Sequence, residues 1–85
     1  MFKGNNRATT VINNQTHFIL HSTSIAIKSD EGIILNNGGY FSNITKKAMN
    51  EVGEIFNFKV YQKNYNWFVD YNNETLEYSN GMILK

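Results

Sequence analysis

The residues that interrupt this chain constrain it more than the residues that fill it. Asparagine occupies fourteen of 85 positions and proline none, and the asparagines gather at breaks: Asn13-Asn14, Asn36-Asn37, Asn64-Tyr65-Asn66, Asn72-Asn73 and Asn80-Gly81. An Asn side chain bonds to nearby backbone and tolerates left-handed geometry, so each break reads as a turn. The pieces between turns are short, which suits strands better than helices.

The pieces also alternate. Thr10 to Asn13 reads as a first short strand. Thr16 to Ser22 sets His17, Ile19 and His21 against Phe18 and Leu20. Ser24 to Lys28 sets Ile25 and Ile27 against Ser24, Ala26 and Lys28, then turns through Ser29-Asp30-Glu31-Gly32 into Ile33-Ile34-Leu35, a hairpin by local rules. Further on, Phe58, Val60 and Gln62 alternate with Lys59, Tyr61 and Lys63, and Trp67, Val69 and Tyr71 with Phe68 and Asp70. Leu76 and Tyr78 form another short strand, and Asn80-Gly81 predicts a hairpin into Met82-Ile83-Leu84.

One segment has a different period. Ile44, Ala48, Val52 and Ile55/Phe56 recur at helical spacing with Met49 beside them, while Lys46, Lys47, Asn50, Glu51 and Glu54 fall largely opposite. The helix is expected over about 44–56, capped by Ser42, Asn43 or Thr45. Lys46 and Lys47 oppose the dipole at its start, where carboxylates are commoner. Gly53 costs about 1 kcal/mol against Ala and so marks a close packing contact. The expected fold is α+β: an antiparallel sheet of about five to six short strands packed on one amphipathic helix, in the order βββ-α-βββ. Residues 1–85 form a single domain, with 1–10 a polar arm that Phe2 would have to tie down.

Composition removes whole classes of function. There is no cysteine, which excludes a disulfide scaffold, a Cys-type zinc finger, an iron–sulfur site and a thiol nucleophile. A net charge of +1 disfavours affinity built on phosphate neutralisation. The apolar runs are far too short to span a membrane, and no secretory signal precedes the domain, so the expected setting is cytoplasmic. The sequons at Asn14, Asn43 and Asn73 then follow from Asn and Thr content alone.

Few groupings carry chemistry. His17 and His21 share a strand face but lie about 13 Å apart by strand rise, too far for one metal ion. The carboxylates show no acid/base spacing. Asp70 alone stands between apolar neighbours, and it reads as an ordinary strand residue unless it faces the core. No nucleophile elbow accompanies the serines, so neither an enzyme nor a cofactor is expected. Asn36-Asn37-Gly38-Gly39-Tyr40 before a helix could cradle an anion or nucleotide, with Gly38, Gly39, Tyr40, Thr45, Lys46 and Lys47 as its residues. It lacks P-loop spacing, and a glycine-rich turn accounts for the same letters. Lys59, Tyr61 and Lys63 share one strand face and lead to Tyr65 and Trp67. That set suits a protein interface, a single-stranded nucleic acid, or a surface strand guarded by lysines.

The motifs Gly38-Gly39-Tyr40, Ile44-Thr45-Lys46-Lys47-Ala48-Met49-Asn50, Val60-Tyr61-Gln62-Lys63, Trp67-Phe68-Val69 and Asn80-Gly81-Met82, in that order, resemble a group of small tailed-bacteriophage proteins. The resemblance covers most of the chain from about Phe18. It implies a viral origin and the cytoplasm of the infected host, and it transfers no site residues. With that origin, the leading expectation is a non-enzymatic protein that binds a host or defence-system protein stoichiometrically, such as an anti-CRISPR inhibitor. Trp67, Phe68, Tyr71 and Tyr78 would add anchors. The alternatives are a nucleotide-binding sponge, which would be a homo-oligomer with pockets between subunits, and a single-stranded nucleic-acid-binding module.

Overall fold

Two-residue turns set the topology. The computed structural model describes residues 2–85. Its elements are β1 (Arg7–Ile12), β2 (Gln15–Leu20), β3 (Thr23–Ser29), β4 (Gly32–Leu35), α1 (Asn43–Phe56), β5 (Phe58–Lys63), β6 (Asn66–Tyr71), β7 (Glu74–Glu77) and β8 (Ile83–Leu84). Asn13, Asn14, Asn64, Tyr65, Asn72 and Asn73 all have positive φ between flanking residues that pair across the turn. That geometry matches the twist of antiparallel strands and explains why asparagine does the punctuation.

The class and order agree with the expected α+β arrangement, but the strands number eight and divide between two sheets. One is five-stranded, in the order β1-β2-β3-β4-β8, and the other is the meander β5-β6-β7. The division comes from Asn80-Gly81, which is not a hairpin. Gly81 N–H donates to the Leu35 carbonyl and Leu35 N–H to the Met82 carbonyl. The chain is thereby carried across to β4, where Ile33 pairs with Leu84 and Ile34 with Ile83. The first strand also starts earlier than expected: Arg7 to Thr10 of the supposed arm belong to β1. Phe2 is buried, its ring edge-on to Phe18 at 5.4 Å.

A bulge alters β3. Phe18 pairs with Ala26 and Ile19 with Ser24, which leaves Ile25 without a partner of its own. Ile25 and Ala26 are both buried as a result, and Ile27 is only half-buried. The expected alternation of Ile25 with Ala26 fails for this reason.

The helix lies against both sheets. Its buried side is Thr45, Ala48, Met49, Val52 and Gly53, so the stripe is rotated from the expected one and leaves Ile44 and Ile55 exposed. Ser42 is the N-cap, its hydroxyl accepting from Thr45 N–H, and Asn57 in left-handed geometry ends the helix. Gly53 is the close contact expected: a Cβ there would collide with the Phe58 carbonyl. One turn earlier, the Asn50 amide donates to the Val60 carbonyl at 2.8 Å and accepts from Val60 N–H at 2.7 Å. A helix side chain thus occupies the hydrogen-bonding edge of β5. Arg7 links β1 to the helix through a two-pronged ion pair with Glu51, at 2.8 and 3.1 Å.

Candidate functional site

The segment between β4 and α1 has to turn sharply and then start a helix. Asn36 and Asn37 do the turning: their side-chain oxygens accept from Gly38 N–H and Gly39 N–H, two residues on in each case. Gly38 and Gly39 adopt positive φ, and a Cβ at Gly38 would press on the Thr23 side chain. Gly38 and Gly39 therefore act here as turn residues. The backbone of Asn37 is pinned by the Asn80 side chain, which also accepts from the Tyr78 hydroxyl at 2.6 Å. This small polar cluster holds the two sheets together. Burial pushes the Tyr78 hydroxyl up to about 12, against a smaller downward pull from the Asn37 backbone N–H. Asn37 is itself buried, and its amide nitrogen has no acceptor among the described residues.

This rigid turn holds large apolar side chains out in water. Tyr40 is 67% exposed, Phe41 62% and Ile44 61%. Tyr40 and Ile44 rim a cavity of about 400 Å³ whose walls include Leu20, Ile25, Asn37, Ser42 and Thr45. No acidic residue lies in the first turn of the helix, so nothing on the helix itself neutralises its positive end.

One residue from each of the two candidate sets, Lys46 and Trp67, meets at this end of the molecule. Lys46 donates to Gln62 of β5 at 3.0 Å, and its ammonium lies 5.7 Å from the centre of the Trp67 ring. Phe41 packs edge-on against Trp67 at 5.0 Å and against Tyr78 at 6.2 Å. Of the anion-binding set, Tyr40 and Thr45 line the cavity, Lys47 is exposed and Lys46 is engaged with β5 and β6. Of the partner-binding set, Tyr65 is the most exposed, at 93%, in the turn beside Lys63. Trp67 is 4% exposed and belongs to the core, because on β6 it alternates with Phe68 and faces the helix side. Tyr78 is buried as well.

The outer face of the small sheet is mixed in charge. Lys59 stands opposite Asp70 and Tyr61 opposite Phe68, which in turn stands opposite Glu77. The Tyr61 ring stacks on Phe68 at 5.9 Å, and Asp70 accepts from the Tyr61 and Thr75 hydroxyls. Asp70 is exposed, away from the core. His17 bonds to Ser24 on the outside of the large sheet, and His21 lies in an exposed turn with positive φ. No group of three metal-ligating side chains comes together among the described residues. No described helix is long and apolar enough to cross a membrane.

The exposure of Phe41 and Ile44 is not legible in the sequence. Ile44 fell on the apparent apolar stripe, and Phe41 sat outside any periodic segment. The model of the Kyanoviridae Gp96 protein family matches residues 1–85, and the chain belongs to that family of phage proteins. No curated protein and no solved structure matches it.

Proposed function

We propose that this phage protein is a non-enzymatic binding protein that occupies a host protein stoichiometrically in the cytoplasm of the infected cell. An anti-defence inhibitor is the form this takes. The observation that carries the reading is the trio Tyr40, Phe41 and Ile44, each more than half exposed on a turn fixed by Asn36, Asn37 and the Ser42 cap. Aromatic and aliphatic side chains held rigidly in water lose little entropy on docking and serve as interface anchors. Tyr65, Lys46, Lys47 and Lys63 add an aromatic and cationic border. A protein partner is favoured over nucleic acid because the lysines of β5 share their sheet face with Asp70 and Glu77.

The test uses Ile44→Glu. A carboxylate in the first turn favours the helix dipole, so the variant keeps its fold while spoiling an apolar contact. Tagged wild-type protein should recover one host protein at near one-to-one ratio from infected cells, and the variant should lose it. Equal recovery by the variant, or no stoichiometric partner across several hosts, would overturn the proposal.

A small anionic ligand is the second reading, favoured by the cavity beside an uncompensated helix start. It requires a rise in melting temperature with some member of a panel of mono- and cyclic nucleotides. A flat response across that panel dismisses it.

A further inference from the structure

The four outer strand edges of this molecule are not treated alike. The edge of β5 is covered at Val60 by Asn50 from the helix. β7 is four residues long with a glutamate at each end, and β8 has two residues. Short length, charge and covering groups are the usual ways of keeping sheet edges from pairing. β1 has none of them. It is six residues, Arg7-Ala8-Thr9-Thr10-Val11-Ile12, with every residue from Ala8 to Ile12 exposed and only β2 beside it. Its one charge is engaged by Glu51. Val11 is among the most exposed large apolar residues of the protein.

The register says which backbone groups of β1 are free. The two-residue Asn13-Asn14 turn makes Ile12 and Gln15 a hydrogen-bonded pair, and at the other end His21 N–H donates to the Asn6 carbonyl. Counting by twos, Ala8, Thr10 and Ile12 direct their N–H and C=O groups to β2. Arg7, Thr9 and Val11 direct theirs outward, where the Arg7 N–H already donates to the Gly4 carbonyl at 3.2 Å and the other five groups are open.

We infer that β1 pairs antiparallel with β1 of a second copy of this chain, about a two-fold axis through Thr9. In that register Thr9 faces Thr9 of the other copy, and Arg7 and Val11 face each other twice. About four interchain hydrogen bonds form, two between the Thr9 residues and one from each Val11 N–H to the Arg7 carbonyl of the other copy, and the Val11 carbonyls stay with water. No like charges meet, because Arg7 stands opposite Val11 and can lay its stem along it while its guanidinium stays on Glu51. A second copy fits better than an unrelated extended peptide, because this one register pairs every free group on both sides except the Val11 carbonyl. The contact is a single strand pair and therefore small, so the dimer is weak and concentration-dependent. It joins two five-stranded sheets into one continuous sheet and leaves the Tyr40, Phe41 and Ile44 trio of each copy free. It stands independently of the proposed host partner.

Sedimentation of the purified full chain over roughly 10 µM to 0.5 mM tests the inference. A monomer–dimer equilibrium is expected within that range. Thr9→Pro removes one outward N–H and leaves the β1–β2 ladder intact, and Val11→Lys sets a charge against Arg7 of the other copy. Both variants should keep the wild-type melting temperature within a few degrees and remain monomeric. Cysteine trapping fixes the register, since the chain has no cysteine of its own. Residues facing across the axis lie about 5.5 Å apart at Cα, within disulfide reach, so Thr9→Cys should cross-link roughly tenfold faster than Thr10→Cys. A wild-type monomer at 0.5 mM, an open-ended polymer, Thr9→Pro dimerising like wild type, or equal cross-linking at both positions would each overturn it.

Discussion

β1 and β5 are both six-residue outer strands of antiparallel sheets, yet the helix treats them differently. Along β5 the helix comes close enough for Gly53 to abut the Phe58 carbonyl and for Asn50 to satisfy both backbone groups of Val60. Along β1 its Glu51 holds the Arg7 side chain and leaves the outward backbone of Thr9 and Val11 bare. The difference lies in the reach of the helix side chains. A short amide on a close-packed turn can replace a neighbouring strand, whereas an ion pair spanning a wider gap anchors a strand without closing its edge. One edge is finished within the chain and the other is left open at Thr9 and Val11.

The largest effect is expected where the close approach is removed. Gly53→Ala forces a methyl group into the Phe58 carbonyl and should cost about 3 kcal/mol, at the upper end of overpacking, measured by urea unfolding. Wild-type stability in that variant would mean the helix does not need to touch β5. Asn50→Leu leaves both backbone groups of Val60 unpaired in a partly buried site. About 2 kcal/mol is expected, or a fall of roughly 10 °C in melting temperature for a chain of this length. A loss below about 0.5 kcal/mol would return β5 to the same standing as β1.

Where the two sheets join, the expected effect depends on pH. Tyr78 has its pKa raised by burial to about 12, above the ordinary tyrosine value near 10. Its contribution is fully present below pH 10 and is lost as pH rises towards 12, where the native state ionises as well. Linkage over that window amounts to roughly 2 kcal/mol, and Tyr78→Phe should flatten that part of the stability–pH curve. An unchanged slope in the variant would assign the alkaline loss elsewhere. The smallest effect belongs to β1. Arg7→Ala removes a two-pronged but partly exposed ion pair and should cost about 1 kcal/mol or less, diminishing with salt. A loss as large as that of Asn50→Leu would show that the ion pair does close the edge.

The turns were legible because Asn pairs at two-residue spacing force a particular backbone, and the helix because its period is local. The split into two sheets was not, because Asn80-Gly81 has the letters of a hairpin and differs only in what its backbone meets: the Leu35 and Met82 bonds connect residues far apart in sequence. The bulge at Ile25 hid the true face of β3 in the same way, since one unpaired residue shifts the alternation beyond it. At the candidate site, Tyr40 was readable beside its glycines. The exposure of Ile44 depends on how the helix is rotated, with Gly53 and Asn50 against β5, and Phe41 lies ahead of the helix, outside any periodic pattern. Trp67 looked like an anchor until the strand's facing placed it in the core.

Amide hydrogen exchange at three residues tests the contrast between the two edges most directly. Val60 N–H, held by Asn50, should exchange slowly at any protein concentration. Thr9 and Val11 N–H should exchange fast in dilute solution and slow progressively as the protein is concentrated. Fast exchange at Val60, or rates at Thr9 and Val11 that do not change with concentration, would contradict the account.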